Sequence, residues 1–146
     1  METVKIRCKT LCVGDWVANR NGSPMQIVAV DEDNAYACEG NEERPWVFGD
    51  DEGYEPQPIE ITEDILKENK WEVRGYTLLP DEHYCIIYVD KYVFLWSPRV
   101  LSIWFGDEYY NNGVIADMSV PCKYVHQLQK VLRIAGLTDM ANNFKI

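Results

Sequence analysis

Two histidines and five cysteines are the residues of this chain best suited to metal or nucleophilic chemistry. Cys122 and His126 stand four apart in a stretch with helical periodicity, the spacing that sets two ligands on one helix face. His83 and Cys85 would complete a set of four from a β-rich run, but nothing in the sequence fixes the distance between the two pairs. A Cys-His nucleophile built from the same residues needs an electropositive setting to depress the thiol pKa, which an acidic chain does not obviously supply. Cys8, Cys12, Cys38, Cys85 and Cys122 form an odd set without a repeated short spacing. Neither a disulfide framework nor a zinc knuckle is indicated, and buried free thiols are expected. Asp31 through Glu42 places acids at positions 1, 3 and 12 of a calcium loop, yet Ala35 takes the fifth position and Tyr36 that of the obligatory glycine. A charged hairpin turn is expected there instead. There is no Gly-rich phosphate loop, Ser-centred elbow or His-Glu-x-x-His helix. No catalytic residue, cofactor or metal site is assigned from the sequence.

The charge is distributed unevenly. Net charge is −10, and between Asp31 and Asp64 thirteen acids face one base, Arg44, giving −12 against +2 for the remainder. Such a field repels phosphate backbones, so direct nucleic-acid binding through a basic groove is not expected. Within that segment Asp50, Asp51 and Glu52 are candidate partner-binding residues. The start of the chain mixes charged and apolar residues and lacks the apolar core of a secretory signal. Nothing approaches the ~18 consecutive apolar residues that span a bilayer, so a cytoplasmic protein without membrane contact is expected.

The elements that must position these residues fall into two groups. Residues 1–58 read as short strands separated by turns. Val4, Ile6 and Cys8 alternate, and Val13–Val17 and Met25–Val30 flank Asn21-Gly22, a pair suited to a type I′ hairpin turn. Further strands are expected around Ala35–Cys38 and Pro45–Phe48. So many short strands in so few residues suggest curling into a small SH3-like β-barrel, which removes exposed edges. The stretch from Gly49 to Pro58 has glycine, proline and charge without apolar period and reads as an acidic linker.

Residues 59–146 read as an α+β lobe. Thr62 is placed to cap a short helix with Glu63 and Asp64 in its first turn and Ile61 able to staple onto Leu66. Tyr84–Val89 and Tyr92–Trp96 flank Asp90-Lys91 as a hairpin, and Val100–Phe105 adds a strand. After Pro121, residues Tyr124, Val125, Leu128, Val131, Leu132 and Ala135 recur at helical spacing up to Gly136. This one main C-terminal helix is expected to pack its stripe on the antiparallel sheet.

Two stretches carry a resemblance: Pro58-Ile59-Glu60-Ile61-Thr62-Glu63-Asp64-Ile65-Leu66 and Lys123-Tyr124-Val125-His126-Gln127-Leu128-Gln129. Together with the Gly14-Asp15-Trp16-Val17 turn and the Gly136-Leu137 ending, they resemble a family of small uncharacterised proteins of phages, prophages and other mobile elements in gut anaerobic bacteria. The Tyr-Val-His-Gln-Leu-Gln string is its most specific part, which singles out His126 and Gln127. The chain departs from the family at Lys70, where a glycine usually follows the first helix. A non-glycine residue in that left-handed position costs about 1 kcal/mol, so another ending for the helix is expected. The resemblance implies context rather than mechanism.

The reading that follows is a non-enzymatic protein-binding or assembly module of mobile-element origin, working in the bacterial cytoplasm on an unidentified host or phage protein. Aromatics near Trp46, Phe48, Tyr109 and Tyr110 are the expected anchors. The alternative is an acidic DNA mimic, in which Asp31 to Asp64 stand in for phosphates and inhibit a host nucleic-acid enzyme.

Overall fold

The structure, a computed structural model, describes residues 6–38, 46–49, 55–79, 81–106 and 114–146. The chain is α+β, with a four-stranded and a five-stranded antiparallel sheet. It divides into two compact units, Met1–Glu60 with Tyr124–Phe144, and Ile61–Lys123. The C-terminal helices group with the first sheet, whereas their apolar stripe had suggested the second. The physical reason is polar: Gln129 and Arg133 on that helix bond to the turn that opens the first sheet, and hydrophobic periodicity does not record such partners.

In the first unit a short 3-10 turn, Cys8–Thr10, precedes β1 (Trp16–Ala18), β2 (Pro24–Val30), β3 (Ala35–Cys38) and β4 (Trp46–Phe48), paired in that order. Alternation sends Val17, Met25, Ile27, Ala35, Ala37 and Phe48 inward around Cys8. The described strands make an open four-stranded sheet with β1 and β4 at its edges, not a closed barrel. The edge of β1 is satisfied by other means. Trp16 N donates to Gln129 Oε1 at 2.8 Å, and Ala18 exchanges two backbone bonds of 2.8 Å with Gln57. The Asn21-Gly22 hairpin is present but is not a two-residue type I′ turn. Only Gly22 has positive φ, at +83°, and Asn19 Oδ1 organises the wider loop by accepting from Asn21 N and Ser23 N. Asp31–Asn34 is the expected charged turn: Asp31 Oδ1 accepts from Asp33 N and Asn34 N, and Oδ2 accepts from the Tyr36 hydroxyl.

Two helices complete this unit, α2 (Val125–Ile134) and α3 (Thr138–Asn142). Val125, Leu128 and Leu132 are buried at helical spacing. Gly136, at φ +83°, ends α2 by donating to Arg133 O while Leu137 N bonds Leu132 O, the Schellman pattern.

The second unit opens with α1 (Glu63–Glu68), capped as expected by Thr62 Oγ1 accepting from Ile65 N. Its end corrects the expectation of a different route. Lys70 adopts φ +68°, Lys70 N bonds Lys67 O at 3.0 Å and Trp71 N bonds Leu66 O at 2.9 Å, a full Schellman ending with lysine in the glycine position. The sheet follows as β5 (Glu72–Gly75), β6 (His83–Val89), β7 (Tyr92–Ser97), β8 (Val100–Gly106) and β9 (Val114–Pro121). All neighbours are antiparallel and consecutive in sequence. Cys85, Trp96 and Leu101 lie opposite one another on the inner face, as do Phe94 and Ile103. Trp71 packs against Phe94, and Trp96 Nε1 donates to Cys122 O at 2.8 Å.

Candidate functional site

The string Tyr124–Gln129 does two things for its own helix. Gln127, three residues after the N-cap Tyr124, turns back so that its Oε1 accepts from Tyr124 N at 3.1 Å, one half of a capping box. Gln129, fully buried, donates from Nε2 to Gly14 O at 2.7 Å and to Ala141 O at 2.9 Å while Oε1 receives Trp16 N. One turn on, Arg133 forms an ion pair with Asp15, whose other oxygen accepts from Cys12 N at 2.8 Å. Gly14 is required at the centre of this cluster. It has φ +97°, and a Cβ there would lie 2.7 Å from Asn142 Oδ1. The sequence singled out His126 and Gln127 but missed Asp15, Gln129 and Arg133. A glutamine among the apolar positions of an amphipathic helix was the signal available.

His126 is half-buried on the same helix. Its ring lies nearly parallel to that of Tyr124 at 6.0 Å, and its Nδ1 is buried without a hydrogen-bond partner. Burial lowers its pKa below the ordinary value, which the Asp15 charge opposes and Lys130 reinforces. Gln127 is thus accounted for by capping, and His126 stands apart from it.

The four-residue metal set is not assembled on a helix. α2 begins at Val125, so Cys122 precedes it, and Cys122 and His126 belong to different units. Cys122 and Cys85 are buried in the second unit, where burial pushes their thiols up to about 12 and about 11 respectively, the latter helped by the Glu63 charge. Such thiols are poor nucleophiles. Among the described residues, no group of three or more His, Cys, Asp or Glu could hold a metal ion.

His83 lies instead on an open cleft of about 540 Å³ in the second unit, with Glu63, Asp81, Glu82 and Tyr76. Its Nδ1 stands 3.5 Å from Glu63 Oε1, and both side chains are nearly half exposed, so solvent screens the pair. Tyr76 leans on Tyr84 at 4.9 Å between ring centres.

The outer face of the five-stranded sheet carries two partly exposed aromatics, Tyr88 and Trp104. Tyr88, Val93 and Trp104 lie opposite one another on β6, β7 and β8, with Ile86 and Leu95 in the next row of the same face. Tyr88 is 62% exposed, Val93, Leu95 and Trp104 are half-buried, and Ile86 is buried at 5%. Arg74 on β5 pairs with Glu72 at 2.9 Å and holds its guanidinium 5.9 Å from the centre of the Tyr88 ring.

The expected anchors are placed differently. Phe48 is core at 1% exposure, and Trp46 packs against that core beneath the Arg20 guanidinium. Asp50, Asp51, Glu52, Tyr109 and Tyr110 lie outside the described residues. Among the described residues, no helix is long and apolar enough to cross a membrane.

Comparison with family models, with curated proteins and with solved structures finds no match to this chain.

Proposed function

We propose that this protein is a binding or assembly module rather than an enzyme, and that the outer face of its five-stranded sheet is the surface that meets a protein partner. One observation carries the reading: Tyr88, Val93 and Trp104 are aligned across three strands with Arg74 beside them, on the face opposite the packed one. Tyrosine, tryptophan and arginine supply most of the energy of protein interfaces, because each buries a large area while keeping a polar handle. Contiguous exposed apolar patches on a protein surface tend to mark interaction sites. The resemblance of the Tyr-Val-His-Gln-Leu-Gln string to phage and mobile-element proteins supports a partner from the phage or its bacterial host, met in the cytoplasm.

A second reading, the acidic mimic of nucleic acid, is favoured by the exposure of Asp31, Glu32 and Asp33 and by the carboxylates of Glu63, Asp81 and Glu82 around one cleft. Affinity capture from bacterial host lysate separates the two. The first reading expects a partner retained by an Asp50→Asn, Asp51→Asn, Glu52→Gln variant and bound about thirtyfold more weakly by Tyr88→Ser. The second expects the reverse, with steep loss in salt.

A further inference from the structure

His126, Gln129 and Arg133 fall at positions i, i+3 and i+7 of α2 and so share one face of the helix. Two of the three fasten that face to the turn before β1, Gln129 through Gly14 O and Trp16 N, and Arg133 through Asp15 and Val13 O. The third is unfastened, because His126 Nδ1 is buried with no partner and the ring only lies nearly parallel to Tyr124, its centre 6.0 Å away. A neutral imidazole can occupy such a place. An imidazolium brings a charge and a second N–H that finds no acceptor there.

We propose that His126 is an acid-sensitive release on α2: when its ring takes up a proton, the helix loosens its hold on the Gly14–Trp16 turn and uncovers the edge of β1. The charged groups acting on the ring are Asp15, from the turn, and Lys130, from its own helix. Asp15 favours the cation, but its carboxylate is already engaged by Arg133 and by Cys12 N. Burial is the largest influence, and with Lys130 it outweighs Asp15, so the folded protein binds the proton less well than the unfolded chain. The contribution is therefore constant above the ordinary histidine value of 6.5 and is lost as pH falls below it, down to the ring's own folded value. Across that window the folding constant of the first unit drops by at most about tenfold per pH unit.

The experiment is a proton NMR titration of the intact chain, whose only two histidines are told apart with a His83→Gln variant, combined with hydrogen exchange at the Trp16 amide. The expected result is a His126 signal that titrates below 6.5 and a Trp16 protection factor that falls between pH 7 and pH 5. His126→Gln, and His126→Phe, which keeps a ring against Tyr124, should flatten that fall. A His126 signal titrating at 6.5 or above would overturn the proposal. So would Trp16 protection that does not change with pH, or variants that keep the wild-type slope. If neither variant folds, the two wild-type measurements decide alone.

Discussion

Gln129 Nε2 and the carbonyl of Gly14, 115 residues apart in sequence, are joined by a buried hydrogen bond of 2.7 Å. With Trp16 N on its Oε1 and Ala141 O on the other amide hydrogen, the Gln129 side chain ties the end of the chain to its beginning. Gln129→Leu keeps the volume and leaves Trp16 N unsatisfied, while Gly14 O and Ala141 O keep their other donors, Gln26 Nε2 at 3.2 Å and Phe144 N at 3.3 Å. A buried unsatisfied group costs about 1–3 kcal/mol, and the variant is expected to lose roughly that much. The measurement is a shift of the urea midpoint without a change in slope.

Gly14 and Gly22 both have positive φ, but only Gly14 is crowded: an added Cβ would meet Asn142 Oδ1 at 2.7 Å and Asn142 Cα at 3.3 Å, whereas Gly22 has nothing within 4 Å. Gly22→Ala should cost about 1 kcal/mol from backbone conformation alone. Gly14→Ala should cost more by at least about 1 kcal/mol, because α3 must move as well. Equal losses in thermal unfolding would show that the turn does not press on α3.

The turn chemistry was partly legible and partly not. Thr62 announced the start of α1 because an N-cap is a local device, and the Asp31 turn could be read because Tyr36 displaced the glycine a calcium loop needs. Lys70 hid the end of the same helix, since a lysine gives no sign that it will adopt φ +68°. The grouping of α2 with the first sheet was hidden for another reason. Periodicity shows that Leu128 and Leu132 face a core, but not which core, and the choice rests on Gln129 and Arg133 finding partners far away in sequence. Tyr88 and Trp104 read as strand residues like their neighbours. Only the register showed that they share the outer face while Phe94 and Ile103 point inward.

Lys70→Gly follows directly from that ending. Removing the Cβ from a residue at φ +68° within an intact Schellman pattern should stabilise the protein by about 1 kcal/mol, or raise the melting temperature by about 2–4 °C. A loss of stability would mean that the lysine side chain contributes more than its backbone costs.

The five thiols should separate by burial. Cys12 is exposed and should react first with a thiol reagent at pH 8 in the native state, followed by the half-buried Cys38. Cys8, Cys85 and Cys122 are buried, the last two with thiols pushed up to about 11 and about 12, and should react only on unfolding. Mass mapping of the labelled peptides reads the order directly. Early labelling of Cys122 would revive a nucleophilic role for it.

The aromatic face is tested most directly by the affinity of a captured partner for the wild type and for Tyr88→Ser, measured by titration calorimetry. Tyr88 is 62% exposed, so its loss should leave the unfolding midpoint nearly unchanged. As an interface anchor beside Arg74 it should carry about 2 kcal/mol of binding, a loss of roughly thirtyfold in affinity. An affinity unchanged within twofold, in a variant that folds like the wild type, would contradict the assignment of this face to a partner.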